Sequence, residues 1–229
     1  MNWEQFWNNT ASQTDNLSLQ VGRSVNGVPV DDKTLNDIIL HIATLLKIQN
    51  TDNVLDVCCG NGMLTTLLAD KCKTIVGVDL SEKLIAEANQ KNIKSNIIYK
   101  KVNAIELDKL FAKNQFDKIN LYFSFQYFEN IEIATKLISS LLYVLKPGGS
   151  ILLGDIPDYN KRNVFYNTFE KKFRLFVQNI KGTNTMGKFW NTNELESICK
   201  KLGASSQTLN EPAHLPYSHY IFDFLIKKS

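Results

Sequence analysis

The sequence predicts an open α/β sheet built from strand–helix units, and three observations carry that expectation. A β-branched apolar run from Asn53 to Val57 reads as a buried strand and leads into Gly60-Asn61-Gly62, two glycines one residue apart. Met63-Leu64-Thr65-Thr66-Leu67-Leu68-Ala69 then resumes at helical spacing. A second strand, Thr74-Ile75-Val76-Gly77-Val78-Asp79, ends in a carboxylate 17 positions beyond Gly62. Strand, glycine turn and helix together open a nucleotide-binding sheet, because glycine lets the backbone turn sharply and lie against a ligand. An acid at the tip of the neighbouring parallel strand can accept hydrogen bonds from both hydroxyls of a ribose.

Two cofactor classes use that geometry, and the glycine spacing separates them. A dinucleotide site wants G-x-G-x-x-G, and here Thr65 stands at the third position. An acid, Asp56, lies instead four residues before Gly60. With Asp79, this pattern resembles the class I S-adenosylmethionine-dependent methyltransferases, whose signature is (Asp/Glu)-x-Gly-x-Gly-x-Gly; Cys58 replaces the first glycine. The resemblance runs from about residue 50 to the C-terminus. It implies a three-layer α/β/α Rossmann-like sandwich with a seven-stranded, mostly parallel sheet in the order 3-2-1-4-5-7-6, strand seven antiparallel. It also implies S-adenosyl-L-methionine as cofactor, S-adenosyl-L-homocysteine as product, and an oxygen or nitrogen of a small molecule as methyl acceptor. An NAD-dependent oxidoreductase fails on the glycine spacing and on Asp56. A methyltransferase-like protein that binds without catalysing is the other rival. The intact set Asp56, Gly60, Gly62, Asp79 and Asn103 argues that cofactor still binds.

The chain has 229 residues, 44% hydrophobic and 21% charged, which suits one α/β domain over 1–229 with a sizeable core. Its net charge of +3 is spread over scattered lysines, the pattern of solvated helix faces rather than a nucleic-acid footprint. The four cysteines show no metal spacing and read as free thiols in a reducing compartment, so no metal is expected. No run is long or apolar enough to span a membrane, and the N-terminus, with Glu4 and three asparagines, does not read as a signal peptide. The expectation is a cytoplasmic protein with no nucleic-acid or membrane partner; nothing in the sequence speaks to its oligomeric state.

Residues 1–30 precede the fold proper. Trp3, Phe6 and Trp7 recur at helical spacing, either packing on the sheet domain or capping the acceptor site, as N-terminal extensions do in the resembling family. The resemblance also offers Arg23 a role, since an arginine ahead of the first helix pairs with the methionyl carboxylate in several members. Asp31 or Asp32 caps a helix running to about Lys47, with Leu35, Ile38, Ile39, Ile42, Leu45 and Leu46 as its core stripe. His41 falls between stripe positions and reads as exposed. Ser81 caps a helix through about Lys91, and Leu80 would sit beside the adenine. The third strand, Asn96 to Val102, leads to Asn103-Ala104. At that point the family accepts from the adenine 6-amino group with a side-chain oxygen and reaches a ring nitrogen with the next backbone N–H.

Phe116 to Ser124 reads as the fourth strand, its tip at Ser124 lying between cofactor and acceptor. The segment lacks the Asn/Asp-Pro-Pro-Tyr motif of amino-directed nucleic-acid and protein methyltransferases, which argues for a small-molecule acceptor. A helix over 131–145 ends at Lys146-Pro147-Gly148-Gly149, and a fifth strand follows from Ser150 to Asp155. Residues 157–190 read as an insertion shaping the acceptor pocket, with one helix from Lys161 to Gln178 whose apolar side carries Val164, Phe165, Thr168, Phe169, Phe173 and Phe176. A helix from Asn193 to Leu202 starts with a capping-box-like Asn193…Glu196. Strands at 205–209 and 218–226 close the sheet. The loop between them carries His214, a candidate general base for the acceptor. The arrangement of Gly22-Arg23-Ser24-Val25-Asn26-Gly27 with 55–62 is also similar to bacterial methyltransferases encoded among surface-polysaccharide genes, which implies a sugar-derived acceptor.

Overall fold

The apolar runs of the sequence pair into one sheet of seven strands, described by a computed structural model over residues 1–25 and 27–228. Asn26, within the glycine–arginine segment noted above, lies outside the described residues. In chain order the main elements are α1 (Trp3–Ala11), α2 (Asp32–Leu46), β1 (Asn53–Val57), α3 (Met63–Leu68), β2 (Thr74–Asp79) and α4 (Glu82–Lys91). They continue with β3 (Ile97–Lys101), β4 (Phe116–Tyr122), α5 (Ile131–Val144), β5 (Leu145–Pro157), α6 (Phe169–Lys181), α7 (Thr192–Lys201), β6 (Ser205–Leu209) and β7 (Ile221–Lys227).

In these labels the strands lie in the order 3-2-1-4-5-7-6. The pairs β1·β2, β1·β4, β2·β3 and β4·β5 are parallel, while β7 runs antiparallel between β5 and β6. Successive residues of a strand face opposite sides, so Val54 and Leu152 join one core layer while Leu55, Val57, Ile151 and Leu153 join the other. The first layer is completed by Leu35, Ile38, Ile39, Ile42 and Leu46 of α2, the second by Leu137, Ile138 and Leu141 of α5. The result is the expected three-layer sandwich.

Local chemistry sets the element ends. The Asp31 side chain accepts from the Thr34 N–H and the Ser81 side chain from the Leu84 N–H, starting α2 and α4 as the sequence suggests. Several boundaries differ from expectation: β4 ends at Tyr122 rather than Ser124, and β5 starts at Leu145 rather than Ser150. The helix predicted over 161–178 is broken: a single turn over Arg162–Phe165 ends at Tyr166, and Thr168 caps a new helix, α6, by accepting from the Lys171 N–H. The capping box of α7 is built by Asn191 and Glu194 rather than Asn193 and Glu196. Strand β7 begins at Ile221 because Tyr217–Tyr220 forms a turn closed by Tyr220 N–H to Tyr217 O. Among the described residues no helix is long and apolar enough to cross a membrane.

Candidate functional site

At the carboxyl ends of β1, β2 and β4 lies a cavity of about 260 Å³. Nine of the residues picked out in the sequence line it: Arg23, Asp56, Cys58, Gly60, Asp79, Leu80, Asn103, Ala104 and Ser124. The β1–α3 loop reaches it by left-handed backbone at Cys58 (φ 57°) and Gly60 (φ 58°). A Cβ on Gly60 would stand 2.7 Å from the Val21 side chain, so only glycine lets the N-terminal segment close over the loop. Gly62 behaves differently from expectation. It caps α3 at φ 79° and packs against Tyr99 of β3, whose ring and hydroxyl leave no room for a Cβ there, and it does not line the cavity.

Asp79 ties this end together. One carboxylate oxygen accepts from the Gly60 N–H at 2.9 Å and the other from the Ser81 N–H at 2.8 Å. Burial pushes its carboxyl above the usual range, and those backbone bonds work against that rise. Asp56 is equally buried. It accepts from Thr65 Oγ1 at 2.6 Å and from Asn120 Nδ2 at 2.8 Å, and burial raises it to about 6. Thr65, which breaks the dinucleotide pattern, thus serves to hold Asp56. The Asn103 side chain accepts from the Ile105 N–H at 3.3 Å, a cap compatible with a place in the wall.

Arg23 is buried, with its guanidinium 5.2 Å from the Phe123 ring centroid and 5.8 Å from that of Tyr122. Burial lowers its pKa, and Asp155, Tyr122 and Asp56 oppose that shift. Among the described residues no carboxylate lies within 4.0 Å of it. Asn120 is a site residue that the sequence reading missed. It is fully buried in the cavity wall with its Oδ1 unpartnered, and an asparagine inside the apolar strand Phe116–Tyr122 was the available signal. The N-terminal helix closes the cavity: Trp3 and Trp7 line it, and their rings lie 4.4 Å and 5.6 Å from that of Tyr127.

His214 is not brought to this site. The turn closed by Leu215 N–H to Pro212 O buries Leu215 and leaves His214 exposed, outside the cavity wall. The same loop instead delivers Glu211, which is buried and accepts from the Tyr122 hydroxyl at 2.7 Å. Burial, and then neighbouring Asp155, push Glu211 up to about 11. Beside it, fully buried Asp223 accepts from the Asp155 N–H at 3.1 Å and lies 2.6 Å from His41 Nε2. His41 is therefore an internal partner, not the exposed residue its helix position suggested. One ligand atom from each of His41, Glu211 and Asp223 lies within 4.8 Å of the others, close enough for a cation. The 157–190 segment also departs from expectation. Among the described residues it contributes nothing to the cavity wall, and Tyr159, Tyr166, Leu175 and Phe189 line a separate groove of about 510 Å³.

A Rossmann-like sheet in this order, with an acid–glycine loop after β1 and an acid at the tip of β2, has the architecture of the class I S-adenosylmethionine-dependent methyltransferases. Residues 54–149 match the family model described as "Methyltransferase domain". It is similar to the chloroplastic 2-phytyl-1,4-beta-naphthoquinone methyltransferase of Arabidopsis thaliana, 32% identical over 125 residues, covering 52% of this chain and 46% of that protein. It is also similar to the mitochondrial ubiquinone biosynthesis O-methyltransferase of Rattus norvegicus, 28% identical over 171 residues, covering 73% of this chain and 48% of that one. The chain thus spans about half the length of these curated relatives. In three dimensions it resembles a SAM-dependent methyltransferase from Anabaena variabilis ATCC 29413, with a TM-score of 0.66 at 19% identity, covering 99% of this chain and 93% of that one.

Proposed function

We propose that the chain binds S-adenosyl-L-methionine in the 260 Å³ cavity and transfers its methyl group to an oxygen or nitrogen of a planar, apolar small molecule. The observation that carries this reading is Arg23, a buried cation in the cavity wall without a carboxylate partner in range among the described residues. Such a group fits the carboxylate of an amino-acid moiety. Asn120 Oδ1, an unpartnered acceptor beside Asp56, fits the ammonium of the same moiety. The Asp79 oxygens keep lone pairs for ribose hydroxyls, Leu80 offers an apolar contact to the adenine, and Asn103 with Ala104 would read its edge.

The cofactor supplies the methyl group as a sulfonium, already a good leaving group. The protein's part is therefore alignment and the exclusion of water, and the aromatic cover of Trp3, Trp7 and Tyr127 is suited to both. Those rings, with Phe123 and Phe128, offer stacking planes rather than the hydrogen-bonding groups a sugar requires. They support an aromatic acceptor over a sugar-derived one, as do the quinone-pathway names of the relatives. Calorimetry tests the reading. S-adenosylhomocysteine should bind and NAD should not. Arg23→Ala should weaken S-adenosylhomocysteine by about ten- to a hundredfold while barely changing methylthioadenosine, which lacks the carboxylate. Equal losses for both ligands would return Arg23 to a structural role.

A further inference from the structure

Helix α6 turns its apolar stripe away from the protein. Phe169, Phe173, Phe176 and Ile180 recur at intervals of four, three and four, and they are 83%, 58%, 61% and 71% exposed. The helix buries no residue at all, and Leu175, away from the stripe, lines the groove shared with Tyr166 and Phe189. Thirteen residues make a helix of about 20 Å, too short to be stable in water on propensity alone. Its residues nonetheless follow amphipathic spacing throughout, so the stripe suits an apolar medium outside the fold.

The charges around the stripe identify that medium. Lys172 flanks one side, Arg174 and Lys181 flank the other, and Lys171 lies behind; Glu170 is the one acid, so four cations less one anion leave +3 on the helix. A second copy docked on this face would set +3 against +3. An anionic lipid surface answers both features, since phenylalanines enter the acyl boundary while lysine and arginine stems snorkel to the headgroups. We propose that α6 docks this protein onto the surface of anionic bilayers, lying in the interface without crossing it. This departs from the sequence-based expectation of no membrane partner and is independent of the methyl-transfer reading.

Co-sedimentation of the full chain with large vesicles tests it. The protein should pellet with equimolar phosphatidylcholine and phosphatidylglycerol, stay in solution with phosphatidylcholine alone, and be released as salt is raised. Phe173→Ser with Phe176→Ser should weaken partition at least tenfold. Lys172→Gln with Arg174→Gln should weaken it about thirtyfold, and this pair leaves the apolar stripe intact should the serine variant fold poorly. The thermal midpoint, unchanged, confirms folding in each. Wild-type protein that stays in solution with the anionic vesicles overturns the proposal. So does a serine variant that pellets like wild type, or one whose only change is loss of a homodimer.

Discussion

The two halves of the sheet edge that carry the site differ in how their groups find one another. On the β1–β2 side, Asp56 meets Thr65 across 9 positions and Asp79 meets the Gly60 N–H across 19. On the β4–β7 side, Tyr122 meets Glu211 across 89 positions and His41 meets Asp223 across 182. The first half is assembled by one strand–loop–helix–strand unit, whose local pattern already places the donor and the acceptor. The second half is assembled by topology, which brings the loop after β6, the start of β7 and the far end of α2 together only once the sheet is complete. Polar groups built the first way can be read as a motif, and those built the second way look like isolated surface residues.

The largest test of that difference is His41→Ala. Read from α2 alone, His41 is a surface position, where substitution changes stability by about 0.5 kcal/mol at most. In the structure its side chain is 12% exposed and its partner, Asp223, has none of its side chain exposed. Removing one member of such a pair leaves the other's polarity buried and should cost about 3–5 kcal/mol. Urea denaturation should show that loss, while S-adenosylhomocysteine affinity in the folded protein stays close to wild type, because neither residue lines the cavity.

Asp56 should produce the next largest effect, and its direction follows from burial. Its carboxyl rises from 3.8 to about 6 in the folded chain, so the native state holds a proton that the unfolded chain releases earlier. The contribution to stability is full below about pH 3.8 and is lost as pH rises through about 6, amounting to about 3 kcal/mol. Asp79 and Asp155 are raised in the same direction, but they are present in both proteins when wild type is compared with Asp56→Asn. The difference in unfolding free energy between the two should therefore change across that window and be flat above about pH 7. A difference that is flat throughout would mean Asp56 is solvated. Smaller again is Asp79→Ala, which takes the acceptor from two buried hydroxyls of the proposed ligand. It should weaken S-adenosylhomocysteine by about ten- to a hundredfold in calorimetry.

The legible part of the molecule is the part set by short-range spacing. Apolar, β-branched runs marked the strands and 3.6-residue spacing the stripe of α2, the family resemblance supplied the sheet order, and the Asp56–Gly60–Asp79 spacing placed the cavity. His214 misled because a loop's position at the right edge of the sheet does not say which of its side chains turns inward; burial of Leu215 decided that against it. Asp223 did leave a trace, an acid inside Ile221-Phe222-Asp223-Phe224-Leu225-Ile226, but its partner on α2 could not be inferred before β7 was placed beside β5. The stripe of α6 was legible as amphipathic and illegible in what it faces. Periodicity reports that an apolar side exists, and only tertiary structure reports whether the protein itself covers it.

Cys58 is the one place where the readable half departs from its family pattern, and it offers the finest test of that half. The residue stands where the signature has glycine, and it adopts φ 57° in the left-handed region. An L-residue there costs about 1–2 kcal/mol, while glycine costs about 0.4–1 kcal/mol through the freedom of its unfolded chain. The thiol is half-buried against the core and is pushed well above its usual pKa by burial, so it acts as packing rather than as a nucleophile. Cys58→Gly alone would mix the relief of strain with loss of that packing. Cys58→Ala loses the same sulfur and keeps the strain, so the two variants isolate the backbone. Cys58→Gly should be more stable than Cys58→Ala by about 1 kcal/mol in urea denaturation, the reverse of their order inside a helix or strand. An alanine variant at least as stable as the glycine one would mean that the loop reaches the cavity by a different backbone path.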